Sequence, residues 1–152
     1  MQKIILPVLL CMAFHVSRAQ LQEVETAGWG TVGQIKRLGT TIAKMEYKLS
    51  GSDTVYNLLM KDFKKQVEVN YFSISFRSTD NSFGKFYELL KSFFLPVNKD
   101  KNYMKTFRLG SNGVNLQHIG IIGGRGVRLT TSEGYINLSE KDIEKIFGKK
   151  QR

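Results

Sequence analysis

From residue 41 to residue 138 the chain keeps returning to an alternation of apolar and polar residues, and only one long stretch inside that span breaks the rhythm. Alternation with a period of two places successive side chains on opposite faces of a strand, so one face can be buried while the other meets water. In IAKMEYKLS, Ala43, Met45, Tyr47 and Leu49 alternate with Lys44, Glu46 and Lys48. Gly51-Ser52-Asp53 is turn chemistry, and TVYNLLMKD reads as the returning strand. In VEVNYFSISFR the apolar set changes phase between Tyr71 and Phe72, which predicts a bulge or a strand passing between two packing environments. YMKTFRLG alternates again, and Asn112-Gly113 behind it is the pair that favours a tight hairpin turn. VNLQHIGII, GVRLTTS and YINLS complete the predicted strands.

The break is SFGKFYELLKSFF. Phe83, Phe86, Tyr87, Leu90, Phe93 and Phe94 recur at spacings of three and four, which gathers them on one face of a helix. Asp80, Asn81 or Ser82 can cap its start, and Pro96 stops it. Such an aromatic stripe is core packed on a sheet rather than a ligand box. A second, shorter helix follows Ser139, an N-cap backed by Glu140 and Asp142 in the first turn. Ile143, Ile146 and Phe147 form its apolar side, and Gly148 ends it. Strands joined by short turns need no crossover helices. The expectation is an α+β fold, mostly antiparallel sheet with two helices, arranged as a β3α-type pseudo-repeat.

Residues 1–19 read as a signal peptide. Lys3 is basic, Ile4 to Phe14 form an apolar run, and Ser17 and Ala19 occupy the small positions of a cleavage site ahead of Gln20. The run is too short for a transmembrane helix, and no later segment is apolar enough to be one. Residues 20–39 read as an irregular segment with room for one edge strand, because Gly28, Gly30, Gly33 and Gly39 interrupt any period. Trp29 in this segment has either a core or a surface role. Residues 40–148 then form a single α+β domain and 149–152 a basic tail. Cys11 lies in the signal segment, so the exported chain has no cysteine and depends on its core for stability. Removing residues 1–19 takes away Lys3 and Arg18 and lowers the formal charge from +10 to +8. That charge suits anionic glycan, lipid headgroups or acidic proteins. Export makes nucleic acid the least favoured partner.

The residues that would carry chemistry are sparse. In GIIGGRG at 120–126 a Walker loop would need Gly-Lys-Ser/Thr followed by a helix, but a strand-like VRLT follows. A dinucleotide fingerprint beginning at Gly124 would need a small residue where Leu129 stands. The glycines therefore read as a hairpin turn, with Arg125 at its tip and Gly120 as a bulge or a close backbone contact. His118 is the one histidine beyond the signal segment. It shares strand parity with Val114, Leu116 and Ile122, which turns it toward the core. No cofactor-binding or metal motif occurs, and no catalytic residues are assigned. Arg125, Arg128, Lys149, Lys150 and Arg152 are candidates for an anion- or partner-facing patch, provided the fold brings them together.

With SISF ahead of the aromatic helix and GYINLSEKDIEKIFGK at its end, the chain resembles small exported bacterial proteins of unassigned function. The resemblance covers most of the exported chain and implies a periplasmic or secreted location, with no catalytic motif to carry over. The functional expectation is a non-enzymatic binding domain of the cell envelope, for a protein or an anionic surface polymer. One alternative is a small hydrolase using His118 or a carboxylate pair; another is a structural subunit of an envelope assembly.

Overall fold

The computed structural model describes residues 28–64 and 68–149. Residues 1–19, read as a signal peptide and containing Cys11, residues 20–27 and the end of the basic tail (150–152) lie outside the described residues. Among the described residues, no helix is long and apolar enough to cross a membrane.

The fold is α+β, built from two four-stranded antiparallel sheets and two helices. The first sheet has the order β1 (Gly30–Arg37), β2 (Thr40–Ser50), β3 (Asp53–Lys61), β4 (Tyr71–Arg77) and leads into helix α1 (Ser82–Ser92). The second has the order β5 (Met104–Leu109), β6 (Asn112–Ile121), β7 (Gly124–Thr130), β8 (Tyr135–Leu138) and leads into α2 (Glu140–Ile146). Each half therefore holds four strands and a helix, not three and a helix. The extra strand is β1, formed by the glycine-interrupted segment. It pairs only with β2, and its register slips between Thr31 and Gly33 and again between Ile35 and Lys36.

The glycines that weaken β1 as an isolated strand are required by what packs on it. The ring of Tyr47, the cross-strand partner of Gly30, occupies the space a Cβ at Gly30 would need. A Cβ at Gly33 would stand 1.9 Å from the Lys145 carbonyl oxygen. The backbone of α2 thus rests directly on β1. Just past the same, C-terminal end of α2, Gly148 meets the Val32 carbonyl in the same manner, 2.8 Å from where its Cβ would be.

Alternation holds across both sheets. Ala43, Met45, Leu58, Met60, Phe72 and Ile74 face one side of the first sheet, and Val114, Leu116, Val127, Leu129, Ile136 and Leu138 one side of the second. These residues join Phe86, Leu90 and Phe93 from the α1 segment and Ile143, Ile146 and Phe147 from the α2 segment in one hydrophobic cluster. Burying each such aliphatic or aromatic side chain contributes roughly 1.5–3 kcal/mol. The predicted stripe on α1 is core: Phe83, Tyr87 and Phe94 are half-buried against the same cluster. Tyr47 and Leu49 continue the inward parity of β2 but are exposed, because the strand runs past the end of the core.

Three local expectations are corrected. The phase change at Tyr71-Phe72 is neither a bulge nor a change of environment within a strand. β4 begins at Tyr71 and pairs with β3 in unbroken register, while residues 65–67 lie outside the described residues. The β5–β6 turn is Gly110-Ser111, and Asn112-Gly113 lies inside β6. Gly110 takes the turn because it combines a φ of 60° with a close approach to the Ser75 carbonyl of β4, where no side chain fits. The start of α1 has no side-chain cap. Asn81 occupies the cap position in a left-handed conformation, and Ser82 Oγ donates instead to the Arg77 carbonyl. Ser139, in contrast, forms a full capping box with Asp142 at the start of α2.

The two sheets are stitched at a second seam by Asp62, which is buried. Its Oδ1 accepts the Lys64 N–H at 2.9 Å and the Tyr135 N–H at 3.2 Å. The Phe63 N–H donates to the Tyr135 carbonyl at 2.9 Å beside it.

Candidate functional site

GIIGGRG forms the β6–β7 hairpin. Ile121 pairs with Gly124, leaving Ile122-Gly123 as a two-residue turn. Gly123 has a φ of 91°, which a side chain would resist, and a strand follows rather than a helix. Gly120 is neither a bulge nor a close contact: it pairs regularly with Arg125, and the space around it is open. The close approach belongs to Gly126, whose Cβ would meet Ile121 and the Leu138 carbonyl. Ile122, placed with the core by parity, stands fully exposed at the turn, because the strand ends before reaching it.

His118 lies in β6 with its ring against those of Phe93 (centroids 5.0 Å apart) and Tyr103 (5.9 Å), which also pack on each other. Its Nε2 donates to the Asn98 carbonyl at 2.6 Å. Nδ1 is buried and has no hydrogen-bond partner among the described residues. A histidine acting as general base needs a nitrogen facing a hydroxyl or a water held by one. Here one nitrogen is committed to a backbone carbonyl and the other is buried. Among the described residues, no group of three or more His, Cys, Asp or Glu could hold a metal ion.

Of the five cations proposed as a patch, the three that lie among the described residues stand apart from one another. Arg125 is exposed, and its Nη2 donates to the Phe94 carbonyl at 3.3 Å, tying the hairpin to the segment after α1. Arg128, three residues further along β7, falls on the opposite face of the strand. It stacks over Tyr135 with its guanidinium carbon 4.5 Å from the ring centroid, and its Nε donates to Asn137 Oδ1 at 3.0 Å. Lys149 stands over Tyr87 of α1 and lines another depression with Lys85. Lys150 and Arg152 lie outside the described residues.

Arg125 instead gathers a set that the sequence did not single out. With Lys99, Lys101, His118, Ile119 and Gly120 it lines a depression of about 410 Å³. Lys99 and Lys101 come from the charged linker NKDKN, carried to β6 by the bond between Asn98 and His118. Among the described residues, no carboxylate lines this depression. Arg125 also borders a neighbouring one of about 470 Å³ with Phe94, Ile122, Glu140 and Lys141. The Glu140 carboxylate is held by Lys91 of α1.

Two further depressions are less suited to a charged ligand. The largest, about 640 Å³, carries Arg77 and Arg108 beside Ser82 and Gly110, but Arg77 is paired with Asp53 at 3.5 Å. The other, about 510 Å³, is formed by half-buried Trp29 with Tyr47, Lys48 and Leu49 at the end of the first sheet.

No protein-family model matches this chain, and neither a curated protein nor a solved structure matches it.

Proposed function

We propose that this chain is an exported, non-enzymatic binding domain that holds an anionic partner at the depression formed by Lys99, Lys101 and Arg125. The observation that carries the reading is this convergence of three exposed cations with no carboxylate among the lining residues. Unpaired like charges around one concavity raise the local potential and draw in anions, and the gain from doing so is screened by salt. The overall positive charge works in the same direction at longer range. His118 contributes to this reading as a positioning residue, fixing the Lys99–Lys101 segment through Asn98.

The test is retention of the purified chain on an immobilised polyanion such as heparin across a salt gradient. Retention falls as salt rises, and Lys99→Glu with Arg125→Glu elutes the protein at clearly lower salt. Elution of that variant at the salt of the parent protein refutes the site. Export is tested by expressing the whole chain in a bacterial host and sequencing the N-terminus of the product recovered outside the cytoplasm. It should begin at Gln20, and a retained Met1 would refute the proposed cleavage.

A further inference from the structure

Beside the basic depression stand three exposed large apolar side chains: Leu95 (50% exposed), Val97 (83%) and Ile122 (106%). They lie on two turns fastened to each other. The segment between Phe94 and Asn98 is tied at one end by Arg125, which donates to the Phe94 carbonyl. At the other end His118 donates to the Asn98 carbonyl, and Asn98 Nδ2 donates back to the Ser92 carbonyl at 2.8 Å. Pro96 opens a short 3₁₀ turn between these ties and fixes its backbone. Ile122 occupies the tip of the hairpin that carries Arg125.

Single exposed apolar residues are ordinary on a soluble surface. Here three are held outward on adjacent, rigid turns, with Lys99, Lys101, Arg125 and Lys141 exposed around them. Of the nearby acids, Glu140 is bound by Lys91, and Asp100 accepts the Asn102 N–H. Apolar tips that project, ringed by cations, match a surface whose outer layer is anionic and whose next layer is hydrocarbon. A soluble polyanion satisfies the cations but leaves Leu95, Val97 and Ile122 in water.

We propose that the Leu95–Asn98 turn and the β6–β7 hairpin tip together form a docking edge for an anionic lipid bilayer. Leu95, Val97 and Ile122 enter the boundary between headgroups and acyl chains, while the four cations meet lipid phosphates. The two ties hold both turns in the docking geometry beforehand, so little order has to be gained on binding. This rests on the anionic-partner reading above and names the partner.

The experiment is co-sedimentation of the chain, recovered from an exporting host, with vesicles of phosphatidylcholine alone or mixed with phosphatidylglycerol, beside heparin retention of the same samples. The variants are Leu95→Ser/Val97→Ser/Ile122→Ser and Lys99→Glu/Lys101→Glu, all at exposed positions, with thermal melts confirming folding. Binding requires phosphatidylglycerol, and the apolar triple variant weakens it on the order of tenfold or more, because three partly inserted side chains are lost. That variant leaves heparin retention unchanged, whereas the lysine variant lowers both. Vesicle binding unaltered by the apolar variant, equal binding to both vesicle types, or heparin retention without vesicle binding overturns the bilayer proposal alone. Failure of the parent chain to bind either vesicles or heparin overturns the anionic-partner reading as well.

Discussion

Gly33→Ala tests how tightly the second half of the chain closes on the first. The added methyl would stand 1.9 Å from the Lys145 carbonyl oxygen and 2.7 Å from that of Ile146, both backbone atoms of α2. No rotamer change relieves such a contact. Reaching the 3.4 Å of ordinary contact requires a relative shift of roughly 1.5 Å (3.4 minus 1.9) between strand and helix. The helix resists, because Ile143, Ile146 and Phe147 are all buried. β1 yields instead, because within the sheet it pairs with β2 alone. Overpacking of this kind costs about 1–3 kcal/mol, and a backbone obstacle places it toward the upper end. Gly120→Ala is the control: it is also a strand glycine, but the space around it is open. Alanine there restricts the unfolded chain and is neutral or stabilising by up to about 1 kcal/mol. Urea unfolding followed by circular dichroism gives both values, and hydrogen exchange locates the loss in β1. If Gly33→Ala and Gly120→Ala agree within about 0.5 kcal/mol, the size of an ordinary surface substitution, the close packing of α2 on β1 is refuted.

Asp62→Ala removes a buried acceptor shared by two backbone N–H groups, and a loss of about 2–4 kcal/mol is expected in urea unfolding. Asp62→Asn keeps one acceptor oxygen and should lose clearly less. Ser139→Ala deletes the capping box of α2 and costs about 0.5–2 kcal/mol by the same measurement. Leu38 sits exposed at a φ of 49° in the β1–β2 turn beside Gly39 at 79°, a conformation that favours Asn-Gly. Leu38→Asn therefore raises stability by about 1 kcal/mol, read as an increased melting temperature. Lys91 bridges Glu140 and Glu144; burial pushes its pKa down, but the two hydrogen bonds and charges outweigh this and leave it raised above 10.5. A raised lysine pKa gives stability that is fully present below the unfolded value and lost as pH climbs through the folded one. The deficit of Lys91→Gln relative to the parent should thus be constant near neutrality and shrink only as pH rises beyond 10.5, and a deficit that shrinks between pH 6 and 8 would refute the tie.

The strands from β2 onward and both helices were legible because each follows from local periodicity or from a cap within its own few residues. β1 was legible only as room for one edge strand in an irregular segment, since Gly30 and Gly33 read as strand-breaking until Tyr47 and α2 are placed against them. The Gly110-Ser111 turn displaced the better-looking Asn-Gly pair for the same kind of reason: β4, distant in sequence, approaches Gly110. For the site, the glycines around Arg125 placed it in a hairpin, but the tip is Ile122-Gly123, and Arg125, expected there, lies inside β7 opposite Gly120. Alternation along β7 already separates Arg125 from Arg128, a signal present in the sequence but not drawn upon. Lys99 and Lys101 carried no signal at all. Only the bond between Asn98 and His118, twenty positions apart, brings that linker to the hairpin.

The seating of α2 on β1 also bears on when the molecule can fold. The strand that starts the described chain is covered by a helix that comes more than a hundred residues later, so the core stays open on that side until residues 140–147 have been synthesised. Contacts so far apart in sequence slow folding, because the intervening chain must be ordered before they form. Closure of the core on the β1 side therefore waits for the last of the described helices. The late helix acts as a timing element as well as a lid on the core.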